Sequence, residues 1–160
     1  MHLSTFKTAV CDRYFEDYEV GATYEIGEFS LSEAEIIEFA QRFDPQPFHL
    51  DHAAARASPY GGIIASGWHT GSAMMRVVVE GFISSVAGLG SPGVDEIRWL
   101  KPVRPDELLK VRVTVEQTRR SVSKPDRGLC HTLMEVVDHQ GQVRMTVRSV
   151  GIVRCRHPCD

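Results

Sequence analysis

Residues 63–87 are the stretch that most constrains what this chain can fold into. Their only charges are Arg76 and Glu80, spaced i,i+4 as a pair on one helix face. Trp68, Ser72, Met75, Val79, Phe82 and Val86 recur at helical spacing. The run predicts a long helix, apolar round most of its circumference, which other parts of the chain must cover. It starts near Ser66 or Gly67. Gly67, Gly71, Ser72 and Ala73 keep its first two turns slim enough for other backbone to come close. Gly88, Gly90, Pro92 and Gly93 end it. His69, Arg76, Glu80 and the many small residues argue against a membrane span.

The covering surface has to come from the flanks. Thr23 to Phe29 reads as a strand with Tyr24, Ile26 and Glu28 on one face. Ser32 followed by Glu35 is a capping box that starts a helix with the apolar stripe Ile36, Ile37, Phe39 and Ala40. That helix stops by Phe43, because Asp44 precedes a proline. Residues 50–57 make a short helical turn and residues 58–62 a loop. Four strand-like segments follow, at 94–101, 109–115, 129–137 and 143–153. In the second, Leu109, Val111, Val113 and Val115 alternate with Lys110, Arg112 and Thr114. The third is apolar on both faces, and the fourth turns Arg144 and Arg148 outward. Residues 119–128 are a polar loop, and Asp138-His139-Gln140-Gly141 is a hairpin turn. A strand, a helix, the long helix and then four strands in meander order predict an α+β fold, an antiparallel sheet wrapped around a long central helix. At 160 residues the chain is one domain, 1–160, with 1–12 and 155–160 as loose termini.

A formal net charge of −3 argues against general nucleic-acid affinity but leaves room for a local basic patch. Residues 1–7 lack the apolar core of a signal peptide, and the four cysteines are scattered. Reduced thiols and a cytoplasmic location are therefore expected. Cys155-Arg156-His157-Pro158-Cys159 offers two thiols and one imidazole without a fourth ligand, so it reads as a tail and no metal is expected.

The chemistry-bearing stretch is Phe43-Asp44-Pro45-Gln46-Pro47-Phe48-His49. An acid and a histidine lie five residues apart across two prolines. Each proline fixes its own φ and pushes its predecessor out of helix, which predicts a stiff, extended segment. Asp and His held so can share a water, one taking a proton while the other gives one. The backbone N–H of Gly67 supplies a donor at a positive helix end. No Gly-x-Ser-x-Gly elbow is present, so a serine nucleophile is not expected. His52 and His69 are read as structural, with His69 the second candidate because it lies close to the expected site.

Asp44-Pro45-Gln46-Pro47-Phe48-His49 resembles the D-x-N-P-(aliphatic)-H signature of the MaoC-like acyl dehydratases, which include the (R)-specific enoyl-CoA hydratases. Gly67, eighteen residues after His49, and residues 96–106 resemble that family in order and spacing. Gln46 stands where the family usually has Asn, and Phe43 where it often has Gly. The resemblance implies a hot-dog fold, a homodimer with the site near its interface, and hydration of a trans-2-enoyl thioester to a 3-hydroxyacyl thioester. On that reading Asp44 and His49 are catalytic and Gly67 N–H meets the enolate oxygen. The substrate is an acyl-CoA thioester, with CoA as its carrier and no other cofactor. Some family members support the aspartate with a helix serine. That register falls on Met75 here, and Ser72, one turn earlier, is the candidate substitute. Arg98, Lys101 and Arg104 cluster around one strand end and are the candidate cations for the CoA phosphates. The rival readings are a hot-dog thioesterase and a non-catalytic acyl-CoA-binding module.

Overall fold

The computed structural model describes residues 2–158. Local chemistry sets the first elements. The Ser32 hydroxyl accepts from the Glu35 N–H at 3.3 Å, and the Glu35 carboxylate accepts from the Ser32 N–H at 2.8 Å. This box opens α1 (Glu33–Phe43). The helix ends where Asp44 turns to φ −151° and ψ 67°, as a residue before proline must. Two short helices follow, α2 (Pro47–Leu50) and α3 (His52–Ala57), and then the long helix α4 (Gly67–Gly81) with Ser66 as its N-cap.

Five antiparallel strands form one sheet: β1 (Thr23–Phe29), β2 (Gly93–Trp99), β3 (Leu109–Arg120), β4 (Arg127–Val137) and β5 (Val143–Arg154), in the order β1-β3-β4-β5-β2. The expected meander holds for β3, β4 and β5 but not for β2, which pairs with β5 at the far edge. Residues 100–108 contain Pro102 and Pro105, which lack the N–H a ladder needs, and cross the sheet instead of turning a hairpin. The strictly alternating face of β3 is fully buried at Leu109, Val111, Val113 and Val115. On β1 the expected alternation breaks at a bulge between Glu25 and Gly27. Gly27 adopts φ 150°, and a Cβ there would lie 2.9 Å from Val77 of α4, so helix and strand meet backbone to side chain.

Two expectations about α4 need correction. It ends at Gly81, well short of the apolar run, and residues 82–87 continue as turns. The stripe of Trp68, Met75 and Val79 is also the outward face, at 58%, 42% and 51% exposure, while Thr70, Met74, Val77 and Val78 are buried. Arg76 and Glu80 mark part of the exposed side, but the stripe beside them is as apolar as the buried one, so apolar spacing alone does not orient the helix. Nor are residues 2–12 loose. Phe6 stacks on Tyr24 with ring centroids 3.7 Å apart, and the Ser4 N–H donates to the Thr23 carbonyl at 2.7 Å. The start of the carboxyl tail is held as well: Cys155 is buried and Arg156 pairs with Asp12 and Asp17. Cys159, the last thiol of the tail motif, lies outside the described residues.

Candidate functional site

Only part of the Asp44–His49 segment is extended. Gln46 is (φ −82°, ψ 139°), but Pro47 sits in the first turn of α2, where its fixed φ suits a helix and its missing N–H costs nothing. The turn carries His49 into the protein at 4% exposure. Its Nδ1 lies 2.7 Å from the Ile64 carbonyl oxygen, and its Nε2 lies 3.3 Å from Asp44 Oδ2.

Asp44 is dressed with donors. Ser66 Oγ donates to Oδ2 and Gln46 Nε2 to Oδ1, both at 2.7 Å. Partial burial pushes the carboxyl pKa up. The hydrogen bonds from Ser66 and Gln46, with the His49 ring beside them, outweigh burial and hold it below the ordinary aspartate value. Asp44 is thus an anion at neutral pH. A carbonyl oxygen can only accept, so Nδ1 of His49 must be the N–H. That commits Nε2 as the working nitrogen. Its contact with Asp44 Oδ2 is attractive when one proton lies between them. Without that proton both atoms are acceptors facing the same donor, as a water would be.

The pair opens on a cavity of about 470 Å³, whose walls include Gln46, Tyr60, Gly67, Trp99 and Lys101. A second cavity of about 400 Å³ lies against β4, β5 and β2 and is walled almost wholly by apolar atoms. Gly67, Trp68, Trp99 and Met145 border both. The two indoles meet edge to face with centroids 5.2 Å apart. Gly67 begins α4, so its N–H has no partner within the helix and sits at the positive end of the dipole. A Cβ at position 67 would lie 2.4 Å from the Trp99 ring, so the close approach of that indole requires glycine here.

The other sequence-derived candidates separate. Ser72 donates to the Trp68 carbonyl at 2.8 Å and borders the apolar cavity, not Asp44. Ser66 is the serine that supports the carboxylate. Its position as N-cap of the long helix is the sequence signal that could have found it. Arg98, Lys101 and Arg104 do not act as one cluster. Arg98 pairs with Glu96 on β2, Lys101 borders the site cavity and donates to Gln142, and Arg104 donates to the carbonyls of Tyr60, Gly62 and Ile63. His52 is exposed and 3.0 Å from Glu33. His69 stacks on Phe39 of α1 at 4.5 Å, and burial lowers its pKa.

An antiparallel sheet around one long helix is the hot-dog arrangement, and here a carboxylate and an imidazole stand at that helix's start. Residues 17–148 match the family described as MaoC like domain, and the chain belongs to that family. A MaoC-like dehydratase from Rhodospirillum rubrum is 36% identical and superimposes with a TM-score of 0.84, covering 91% of this chain and 99% of that one. A 3-hydroxybutyryl-CoA dehydratase from Methylorubrum extorquens is 33% identical over 111 residues, 65% of this chain and 64% of its own length, so the chain spans just under two thirds of that relative. The (R)-hydratase PhaJ1 from Pseudomonas aeruginosa shares the fold, with a TM-score of 0.70 at 22% identity over 91% of this chain and 88% of its own.

Proposed function

We propose that this protein is a hydro-lyase that adds water reversibly across the C2=C3 bond of a trans-2-enoyl thioester, giving a 3-hydroxyacyl thioester. The observation that carries the reading is the approach of Asp44 Oδ2 to His49 Nε2, 3.3 Å apart at the mouth of α4. A water within reach of both is oriented by them. Asp44 takes a proton from the water as its oxygen bonds to C3. The electron pair of C2=C3 moves toward the thioester oxygen, which becomes enolate-like. His49 starts with protons on both ring nitrogens, the Nε2 proton shared with Asp44, and delivers that Nε2 proton to C2 as the electron pair returns. The proton left on Asp44 passes to His49 across their contact, so the pair is restored and H and OH have been added. The enolate oxygen lies against the Gly67 N–H. A preorganised donor of this kind contributes roughly 3–4 kcal/mol of transition-state stabilisation.

The dehydratase relative from Methylorubrum extorquens supports CoA as the acyl carrier. The hydratase neighbour and the family resemblance support the (R) configuration. Lys101, on the wall of the site cavity, is the candidate cation for the CoA phosphates. A second copy of this chain is the partner. Beyond its pairing with β5, the far side of β2 is open, and Trp68, Met75 and Val79 on α4, with Val94 and Leu100, are exposed apolar side chains, Trp68 and Leu100 on the wall of the site cavity. The cytoplasm, where acyl-CoA thioesters are made and used, fits this reading; among the described residues no helix is long and apolar enough to cross a membrane.

The test is loss of enoyl-thioester absorbance when the pure protein meets a panel of trans-2-enoyl-CoAs, with hydration of at least one expected. Release of free thiol instead would make it a thioesterase. Binding without chemistry would make it an acyl-CoA-binding module.

A further inference from the structure

The His49 ring is aimed by a backbone carbonyl, so whatever holds that carbonyl aims the ring. The Ile64 oxygen that accepts from Nδ1 closes the loop after α3. Arg104 reaches across to this loop and donates to three of its carbonyls: Gly62 at 3.1 Å, Ile63 at 3.5 Å, and Tyr60. On the other side of Ile64, the Ala65 N–H donates to the Val103 carbonyl at 2.9 Å. Two consecutive residues of the β2–β3 crossover therefore clamp the loop before and after Ile64. The clamp is itself anchored. The Arg104 N–H donates to Glu107 at 3.1 Å, and the other Glu107 oxygen accepts from Arg144. Arg144 also lies 3.0 Å from the buried Asp138, which opens the β4–β5 turn.

We infer that Arg104 is a positioning residue for His49: it fixes the Ile64 carbonyl, and through it the Nδ1–H hydrogen bond and the aim of Nε2 at Asp44. The guanidinium fork suits the task because its donors diverge in a rigid plane and reach several carbonyls at once, which a lysine ammonium on a flexible stem does not. The second nitrogen of a histidine is tuned in this way by what the first one bonds. This role differs in kind from that of a phosphate-binding arginine, which would act on substrate affinity.

Arg104→Ala and Arg104→Lys in the full chain decide between these roles. The kinetic arm rests on the proposed hydration, whereas the spectroscopic arm does not. With an enoyl-CoA substrate, Arg104→Ala should lower kcat by roughly 10- to 100-fold, as a misplaced catalytic group does, and leave KM within about twofold. The low-field Nδ1–H proton of His49, assigned by its loss in His49→Gln, should move and exchange faster with water in Arg104→Ala. Arg104→Lys should fall between wild type and Arg104→Ala in both readings, and it carries the test if a thermal melt finds the alanine variant unfolded. A raised KM with unchanged kcat, or an unmoved His49 proton in both variants, would overturn the inference. Absence of hydration by the wild-type protein would remove the proposed function and leave the proton measurement to decide the role of Arg104.

Discussion

The two ends of α4 face the same problem and resolve it in opposite ways. Every helix leaves N–H groups unpaired at its start and carbonyls unpaired at its finish. At the finish, Arg13 is buried to 3% exposure and donates to the carbonyls of Gly81 at 3.0 Å and Phe82 at 2.8 Å, while the Tyr18 hydroxyl donates to Phe82 at 3.0 Å. The protein closes that end with its own side chains. At the start, Ser66 Oγ accepts from the Trp68 N–H at 3.2 Å and spends its proton on Asp44, and Gly67 borders the cavity. One end is sealed and serves stability. The other keeps a donor, a carboxylate and an imidazole beside open space, which suits binding and chemistry. Substitutions at the sealed end should therefore act on stability, and those at the open end mainly on rate.

The largest effect belongs to the open end. Asp44→Asn and His49→Gln should each lower kcat for enoyl-CoA hydration by about 10²–10⁴, with a smaller loss in thermal melts from the hydrogen bonds to Ser66 and Ile64 that they disturb. Next is the sealed end. Arg13→Met removes the donor to the carbonyls of Thr8 and Gly81, leaves Phe82 with the Tyr18 hydroxyl, and should cost on the order of 3 kcal/mol by denaturant titration, with kcat unchanged. A rate loss without a stability loss there would dissolve the contrast between the ends. Ser66→Ala should show both signs in smaller measure: about 1 kcal/mol of stability from the lost N-cap, and roughly tenfold in kcat from the lost hydrogen bond to a charged oxygen.

The smallest effect is on pH dependence. The folded-state pKa of Asp44 is depressed, so its contribution to stability is fully present above the unfolded value of 3.8 and is lost as pH falls through the lower folded value. The acid limb of kcat/KM should accordingly lie below 3.8, and Ser66→Ala should move it upward. A limb unmoved by that substitution would detach Ser66 from the carboxylate. Circular dichroism on the same samples separates titration from unfolding.

Legibility in the sequence followed distance along the chain. The bounds of α1 could be read because Ser32, Glu35 and the Asp44–Pro45 step punctuate it locally. Asp44 and His49 could be read because five residues and two prolines hold them near each other. The outward face of α4 could not, since Trp68, Met75 and Val79 are as apolar as the buried Met74, Val77 and Val78. The far-edge place of β2 could not either, because a proline-bearing crossover does not record its destination. Ser66 lies 22 residues from Asp44, and only the fold makes them neighbours. The charges of Arg98, Lys101 and Arg104 were visible, but not that one would meet a carboxylate, one a cavity wall and one a row of carbonyls.

The double variant Asp44→Asn/His49→Gln tests the central claim most directly, measured as the rate of enoyl-thioester absorbance loss beside both single variants. If the two side chains act as a unit on one water, the double variant should be little slower than the slower single variant. Losses that multiply would mean that Asp44 and His49 act independently. Single variants near the wild-type rate would contradict the shared-water mechanism outright.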